Sequence, residues 1–566
     1  MAKSNDKECN VDPLDSNNGD EDGIYDDSPP PPLDYSIPER MTGAEHAAAT
    51  INKGHIKHKD PQDQQVPESK QGQDNNKDQD QNKDQMANDT NSNSRTSRDK
   101  WLARGKIALQ FLFNYIKIFC IFTGILSIYW ATFYRRQDRY IHFNMLLITQ
   151  DEEFTNINGT IIPPYLSNAF IDMITQDPQV TELGTWDIIP ISNFTIQAQN
   201  HNNTVEEEVI RVIHHQKYWA GVYISPNSTE LIYNMMISAN YSQVLKVPYL
   251  INVIYESGRH YSALSQYVTR NLALIEDSWI VNHTSPKVYE PLINQYLSIN
   301  QKENLLTNNN TLSILAMKPN FNLMDQRPAP SAAVLGPSEL GLIYAQVFSF
   351  HQFNFSLEIY AYIRTRLKYK QYIIYRFIAA QINCLVLSLV YALITIAFQV
   401  PVNIAFGHSG FMVLWMIMFL FISASGGINE NVVSLILAFD KKVLLAPWMI
   451  FNIVINISTT FAPFVMMPGF FHYGYGLPMY NTYEALKIVF FNTWKGHLGR
   501  NLGVLVIWII LTNILLIFNV RWCDRRAKRL AAEEKKKKEA DATASSTSPI
   551  GSQDVKNSSS SSDTTQ

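Results

Sequence analysis

The chain has 566 residues, of which 46% are hydrophobic and only 17% charged, yet its mean hydropathy is slightly negative at -0.13. These values coexist only when very polar segments are averaged with very apolar ones, which excludes a uniform string of soluble domains. The net charge of -4 gives no electrostatic footprint for nucleic acid. The four cysteines, Cys9, Cys120, Cys384 and Cys523, lie too far apart for a zinc motif or a disulfide framework.

Residues 1–100 are polar and low in complexity, with an acidic patch before four prolines (GIYDDSPPPPLDY) and a later tract DQQVPESKQGQDNNKDQDQNKDQ. They hold too little apolar surface to offset chain entropy and are expected to form a disordered cytoplasmic tail. The proline run favours polyproline II, but PPLDY misses the proline-proline-any-tyrosine pattern by one residue, so a solvated spacer is the reading. The first apolar run, 107–134, follows this tail and has no cleavage site, so it is not a removable signal peptide. At about 1.5 Å per residue it is long enough to cross a hydrocarbon layer about 30 Å thick. Further runs occupy 340–360, 372–400, 411–427, 443–467 and 502–520. The expected fold class is a multi-pass α-helical membrane protein of about six spans, with an α/β extracellular domain between spans 1 and 2 and disordered cytoplasmic tails.

Charge sets the expected orientation. Lys and Arg cluster before the first run (RTSRDKWLARGK), between the second and third (RTRLKYK), at Lys441–Lys442, and after the last run (RWCDRRAKRL, then EEKKKK). The opposite loops are poorer: PVNIAFGHSG has none, and 468–501 carries only Lys487, Lys495 and Arg500. Positive residues favour the cytoplasmic side, which puts both termini there and 138–337 outside. Arg135, Arg136 and Arg139 disagree, since they sit just beyond the first span on the outer side. Asn158, Asn193, Asn202, Asn227, Asn240, Asn282 and Asn309 each head an Asn-x-Ser/Thr triplet between the first two runs, which favours the same orientation.

Segment 138–337 lacks cysteine and alternates in pattern. IHFNMLLIT, TWDIIPIS, YWAGVYIS and VPYLINVIYE read as strands. YLSNAFIDMITQD, VEEEVIRVIHHQK, TELIYNMMISA and SALSQYVTRNLALIEDSWI read as helices, with Glu206–Glu208 and His214–Lys217 disposed as the helix dipole prefers. Strand and helix in alternation imply an α/β sheet domain. Residues 285–337 are Asn/Pro-rich and are expected to be irregular.

Polar side chains inside apolar runs are candidate functional residues, because hydrocarbon cannot solvate them. Gln110, Asn114 and Lys117 share one helical face, continued by Gly124, Ser127 and Ala131, as either a packing seam with Lys117 snorkelling or a substrate path. His351, Asn354 and Glu358 share another face, as a proton relay or a structural hydrogen-bond cluster. Asn452, Asn456 and Thr459 repeat at helical spacing and suit helix-to-helix contact. SASGGINENV reads as a cytoplasmic cap or hinge after a Gly-Gly break. The aromatic and glycine-rich 468–501 reads as an outer interfacial or re-entrant segment. No nucleotide, metalloprotease or serine-hydrolase motif occurs, and the adjacent pair His214–His215 diverges too far to share a metal. No enzyme activity, metal or cofactor is therefore expected. The basic stretch Arg521–Lys538, within the tail 521–566, is a candidate contact for anionic lipid, with Cys523 beside it a lipidation candidate. A homo-oligomer or a partner protein is compatible with this reading.

KYWAGVYISPNST, VIYESGRH, LGLIYAQVFSFHQFNF, FGHSGFMVLWM and PGFFHYGYGLPMYNTYEALK…GHLGRNLGVLVIW resemble the fungal nitrosoguanidine-resistance membrane protein family over about residues 100–525. That family is similar to the permease half of ABC-type exporters and to phage-infection proteins. The resemblance implies a plasma-membrane protein contributing to resistance to toxic compounds, by export or by regulating phospholipid asymmetry. It carries over no catalytic residue. The alternative function is a glycosylated surface receptor or scaffold without transport.

Overall fold

The computed structural model describes residues 86–238, 246–307 and 315–546. Helix α1 (Met86–Ala131) carries the first apolar run and begins well before it. Residues 86–100, expected to be disordered, are thus helical, since an existing helix extends at one hydrogen bond per added residue. The remainder of the expected tail, residues 1–85, lies outside the described residues, as do Asn240 and Asn309. Ala131 is followed by tight turns in which Arg135 takes a positive φ of 49°.

Between residues 144 and 325 the chain builds a five-stranded mixed sheet. Its strands are β1 (Asn144–Thr149), β4 (Thr185–Ile188), β5 (Ala220–Ile224), β6 (Ile251–Tyr255) and β7 (Phe321–Asp325); β2 (Phe154–Thr155) and β3 (Ile161–Ile162) form a separate antiparallel pair. The order is β4-β1-β5-β6-β7, with β1 parallel to β4 and β5, β5 antiparallel to β6, and β6 parallel to β7. Successive side chains of β1 point to opposite faces. Met145 and Leu147 pack with Leu166 and Phe170 of α2 (Tyr165–Gln176), while Leu146 and Ile148 pack with Phe194 of α3 (Ile191–Asn200) and Val209 and Ile213 of α4 (Val205–His214). Helices on both faces explain why the central strands are apolar almost throughout. α4 opens with a reciprocal Thr204–Glu207 capping box. α5 (Ser228–Ser238) and α6 (Thr269–Ser278) add to the first face. β7 arises from the Asn/Pro-rich stretch expected to be irregular, and it completes the edge beside β6.

The rest is a helical bundle: α7 (Gly341–Arg364), α8 (Tyr369–Ala397), α9 (Gly410–Ala438), α10 (Leu445–Ile457), α11 (Pro478–Phe491) and α12 (Leu498–Ser546). Against the expected six spans, four helical stretches among the described residues are long and apolar enough to cross a membrane: Arg104–Ala131, Tyr369–Ala397, Gly407–Ala438 and Lys495–Ala540. α7 is long enough but more polar. α10 is apolar but has 13 residues, about 20 Å of helix.

Three helix limits differ from expectation for identifiable reasons. α9 runs unbroken through Gly426 and Gly427 to Ala438. A Cβ at Gly427 would lie 2.3 Å from Thr512 Oγ1, so this glycine permits close approach of α12 rather than ending the helix. α10 stops at Ile457, not 467, because the Ser458, Thr459 and Thr460 hydroxyls donate back to carbonyls one turn earlier and Pro463 follows. α12 continues through the basic stretch as far as Ser546, so that part of the expected disordered tail is also helical.

At one end of the bundle Arg364 of α7 pairs with Asp524 of α12, and Arg526 donates to the Ala438 carbonyl at 2.9 Å. At the end nearer the sheet, Trp508 donates to the Gly476 carbonyl at 2.7 Å, and Tyr129 of α1 packs on Phe461. Arg136 is buried there, donating to the Thr132 carbonyl and the Tyr267 hydroxyl with its guanidinium over the Phe133 ring. The arginines that conflict with the charge rule therefore include one that pins α1 to the sheet domain.

Candidate functional site within the helical bundle

The expected cap at Asn429–Asn431 lies instead in the interior of α9, with all three side chains buried. Consecutive helix residues project about 100° apart, so three in a row reach neighbours on nearly every side. Asn429 donates to Ser349 Oγ of α7 at 3.1 Å and accepts from Asn452 Nδ2 and Trp448 Nε1 of α10 at 2.8 and 3.2 Å. Glu430 accepts from Arg376 Nε of α8 at 2.5 Å. Asn431 donates to the Thr512 carbonyl of α12 at 2.9 Å, and Asn519 returns a bond to the Asn431 carbonyl at 2.7 Å. One turn of α9 thus holds four neighbouring helices by polar contacts.

Arg376 and Glu430 form a buried ion pair. Arg376 also donates to Ser434 Oγ at 2.9 Å, and its guanidinium lies 5.2 Å from the Phe353 ring and 5.3 Å from that of Tyr360. A pair removed from water is tolerated when geometry and further hydrogen bonds satisfy both partners, as here. One turn away from Ser349 and Asn429, the layer is incomplete. Gln346 is buried with neither amide atom hydrogen-bonded, and the buried Ser425 hydroxyl also has no partner.

Of the residues singled out from sequence, Asn452 and Asn456 belong to this layer, with Asn456 Nδ2 donating to Asn452 Oδ1 at 3.1 Å. Gln110, Asn114 and Lys117 do not: all three are exposed on α1, whose contacts come from its other end through Ile128, Tyr129 and Ala131. Of the expected seam along that face, Ala131 at its far end packs on the sheet-domain core, while the three polar residues face outward. His351, Asn354 and Glu358 share a face, but Glu358 is exposed and His351 packs its ring on Phe350 and Phe355, so no relay is assembled. Cys523 is half-buried with its thiol turned toward Ser434 and Asn519. His214 Nδ1 bonds Glu256 Oε1 at 2.7 Å while His215 stacks on Trp494, the two imidazole centroids lying 6.1 Å apart. Asn158, Asn193, Asn202, Asn227 and Asn282 are all exposed. Sequence reasoning missed Arg376, Ser349 and Asn519. Arg376, eight residues into an apolar helix and facing an acidic residue of the next one, was the available signal.

Long apolar helices around a polar interior define an integral membrane protein. The model of a family described as "Protein of unknown function (DUF3533)" matches residues 114–514, and the chain belongs to that family. It is also 28% identical over 434 residues to an uncharacterized endoplasmic reticulum membrane protein of Saccharomyces cerevisiae, covering 76% of this chain and 82% of the relative. No solved structure matches.

Proposed function

We propose that the chain crosses its membrane six times and moves or sorts amphipathic molecules there, contributing to resistance to toxic compounds by export or by regulating phospholipid asymmetry. The observation that carries this reading is the incomplete polar layer, above all Gln346. A layer serving only as glue would have its amide paired, because an unsatisfied buried polar group costs about 1–3 kcal/mol. An unpaired amide among hydrogen-bonded neighbours is instead available to water or to a polar headgroup. The likeness to nitrosoguanidine-resistance proteins supports the resistance component, and the layout of one helix, a sheet domain and a helical cluster supports ABC-permease-like architecture.

α7 and α10 complete the six crossings. α7 turns Tyr344, Phe348, Phe355 and Ile359 outward and Gln346 and Ser349 inward, the reverse of a helix on a water-soluble protein. The five exposed sequon asparagines support a lumenal or extracellular sheet domain, with both chain ends cytoplasmic. The name of the yeast relative favours the endoplasmic reticulum over the plasma membrane.

Reconstitution tests the reading. Vesicles containing the purified chain should move a fluorescent short-chain phosphatidylserine, or a labelled amphipathic cation, between leaflets faster than protein-free vesicles. Gln346→Leu should abolish this without loss of folded protein. Rates equal to protein-free vesicles for both probes would refute it.

A further inference from the structure

A cavity of about 200 Å³ lies where the sheet domain meets the bundle. Its walls come from the turn after β6, the chain following α10, and the aromatic segment leading into α11. The turn Ser257–Arg259 is pressed on α11 so closely that a Cβ at Gly258 would lie 2.4 Å from Phe491 Cβ. That contact fixes Arg259 and His260 over the cavity.

The lining carries three permanent cations, Arg259, Lys487 and Arg500, and one carboxylate, Glu484. Lys487 Nζ donates to Glu484 Oε1 at 2.7 Å and to the Arg259 carbonyl at 2.7 Å, so that carboxylate is already engaged. Arg259 stacks over Trp219 at 3.7 Å and donates to the carbonyls of Tyr218 and Gln216. These are neutral acceptors; Glu256 and Glu484 act on its charge from nearby, yet burial outweighs them and lowers its pKa to about 10. Arg500, at the mouth, lies over the Tyr475 ring and reaches only Asn501 Oδ1 at 3.3 Å. His260 is 4% exposed with its ring against Tyr483, and neither ring nitrogen completes a hydrogen bond, although the Thr460 backbone lies near. Burial, aided by the Lys487 charge, depresses its pKa to about 3, so the imidazole is neutral and retains one N–H to donate.

Excess positive charge in a partly dry cavity attracts an anion, and an arginine fork with an unpartnered N–H matches tetrahedral oxygens. The cavity adjoins the ends of α10 and α12, which on the six-crossing reading is headgroup depth, and the tyrosines around it suit that depth. We propose that this cavity binds a phosphate group, that of a membrane phospholipid, with Arg259 and Arg500 supplying charge and His260 a hydrogen bond. The lipid as source rests on the function proposed above; the phosphate chemistry rests on the cavity alone.

The test is titration calorimetry of the purified full chain in detergent micelles, with dihexanoyl phosphatidylserine, dihexanoylglycerol and inorganic phosphate as separate ligands. The expected result is saturable binding of the phosphatidylserine and none of the phosphate-free lipid. His260→Leu should weaken it about tenfold or more and Arg500→Gln several-fold. His260→Leu should at the same time leave the melting temperature unchanged or higher, because it removes an unpartnered buried polar group, so weaker binding cannot be ascribed to unfolding. If inorganic phosphate binds as tightly as the lipid, the phosphate site stands and its lipid source is overturned. If neither phosphate ligand binds, or both variants bind like the parent, the site is overturned. Binding is read here without any bilayer crossing. A null therefore leaves the translocation reading untouched, and binding with no crossing overturns translocation alone.

Discussion

Arg376 and Glu430 show what single residues contribute inside the bundle. Removing one partner leaves the other charge buried and unpaired, whereas replacing both with apolar groups removes the desolvation cost together with the attraction. Arg376→Met and Glu430→Met should each lower stability by about 3–5 kcal/mol, and the double variant Arg376→Met/Glu430→Met should recover most of that loss. Thermal unfolding of the purified chain in micelles measures the cycle. Additive losses would mean that the two side chains do not depend on each other. Little of this site was legible from sequence. Asn452 and Asn456 could be read because two amides at helical spacing in an apolar run have few other uses. Gln110, Asn114 and Lys117 satisfy the same rule yet meet nothing in this chain, since spacing defines a face and not its partner. Arg376 was hidden because an arginine near the start of a span also serves as a flanking charge.

Helices α9 and α12 depend on a missing side chain. Gly427→Val should push them apart at a cost of about 1–3 kcal/mol, the usual penalty for overpacking. Thr512→Ala removes the atom nearest the new Cβ and should restore part of the loss, so melting of the two single variants and the double variant distinguishes contact from a general glycine effect. No restoration would mean that Gly427 matters for reasons other than Thr512. The same position shows why element limits were only partly legible. A Gly-Gly pair lowers helix propensity by about 1 kcal/mol per residue, which reads as a break, but packing against α12 outweighs it. The strands Ala220–Ile224 and Ile251–Tyr255 fall inside segments whose apolar runs and β-branched residues point to strands. β7 does not, because an edge strand in an Asn-rich stretch is specified by its partner β6 and not by its own composition.

For the whole molecule, the proposed orientation in the membrane follows from charge and from the sequons. The basic loops and the exposed sequons agree, and the burial of Arg136 removes part of the conflict raised by the outer arginines. Endoglycosidase should increase the gel mobility of the protein made in its host membrane, and changing Asn158, Asn193, Asn202, Asn227 and Asn282 together to Gln should remove most of that shift. Protease added to sealed, cytoplasm-side-out vesicles should remove tags from both termini and spare the sheet domain. Unchanged mobility with protected tags would invert the orientation.

The unbroken course of α12 has a consequence for its charges. Its 49 residues make a rod about 73 Å long, well beyond the thickness of a bilayer. Arg521, Arg525 and Arg526 lie where the apolar part ends, but Lys535–Lys538 begin about 21 Å further along a straight helix. Fields from headgroups fade over about 8–10 Å in physiological salt. On the crossing proposed above, a rod running along the membrane normal would hold these lysines beyond that range, as a mast.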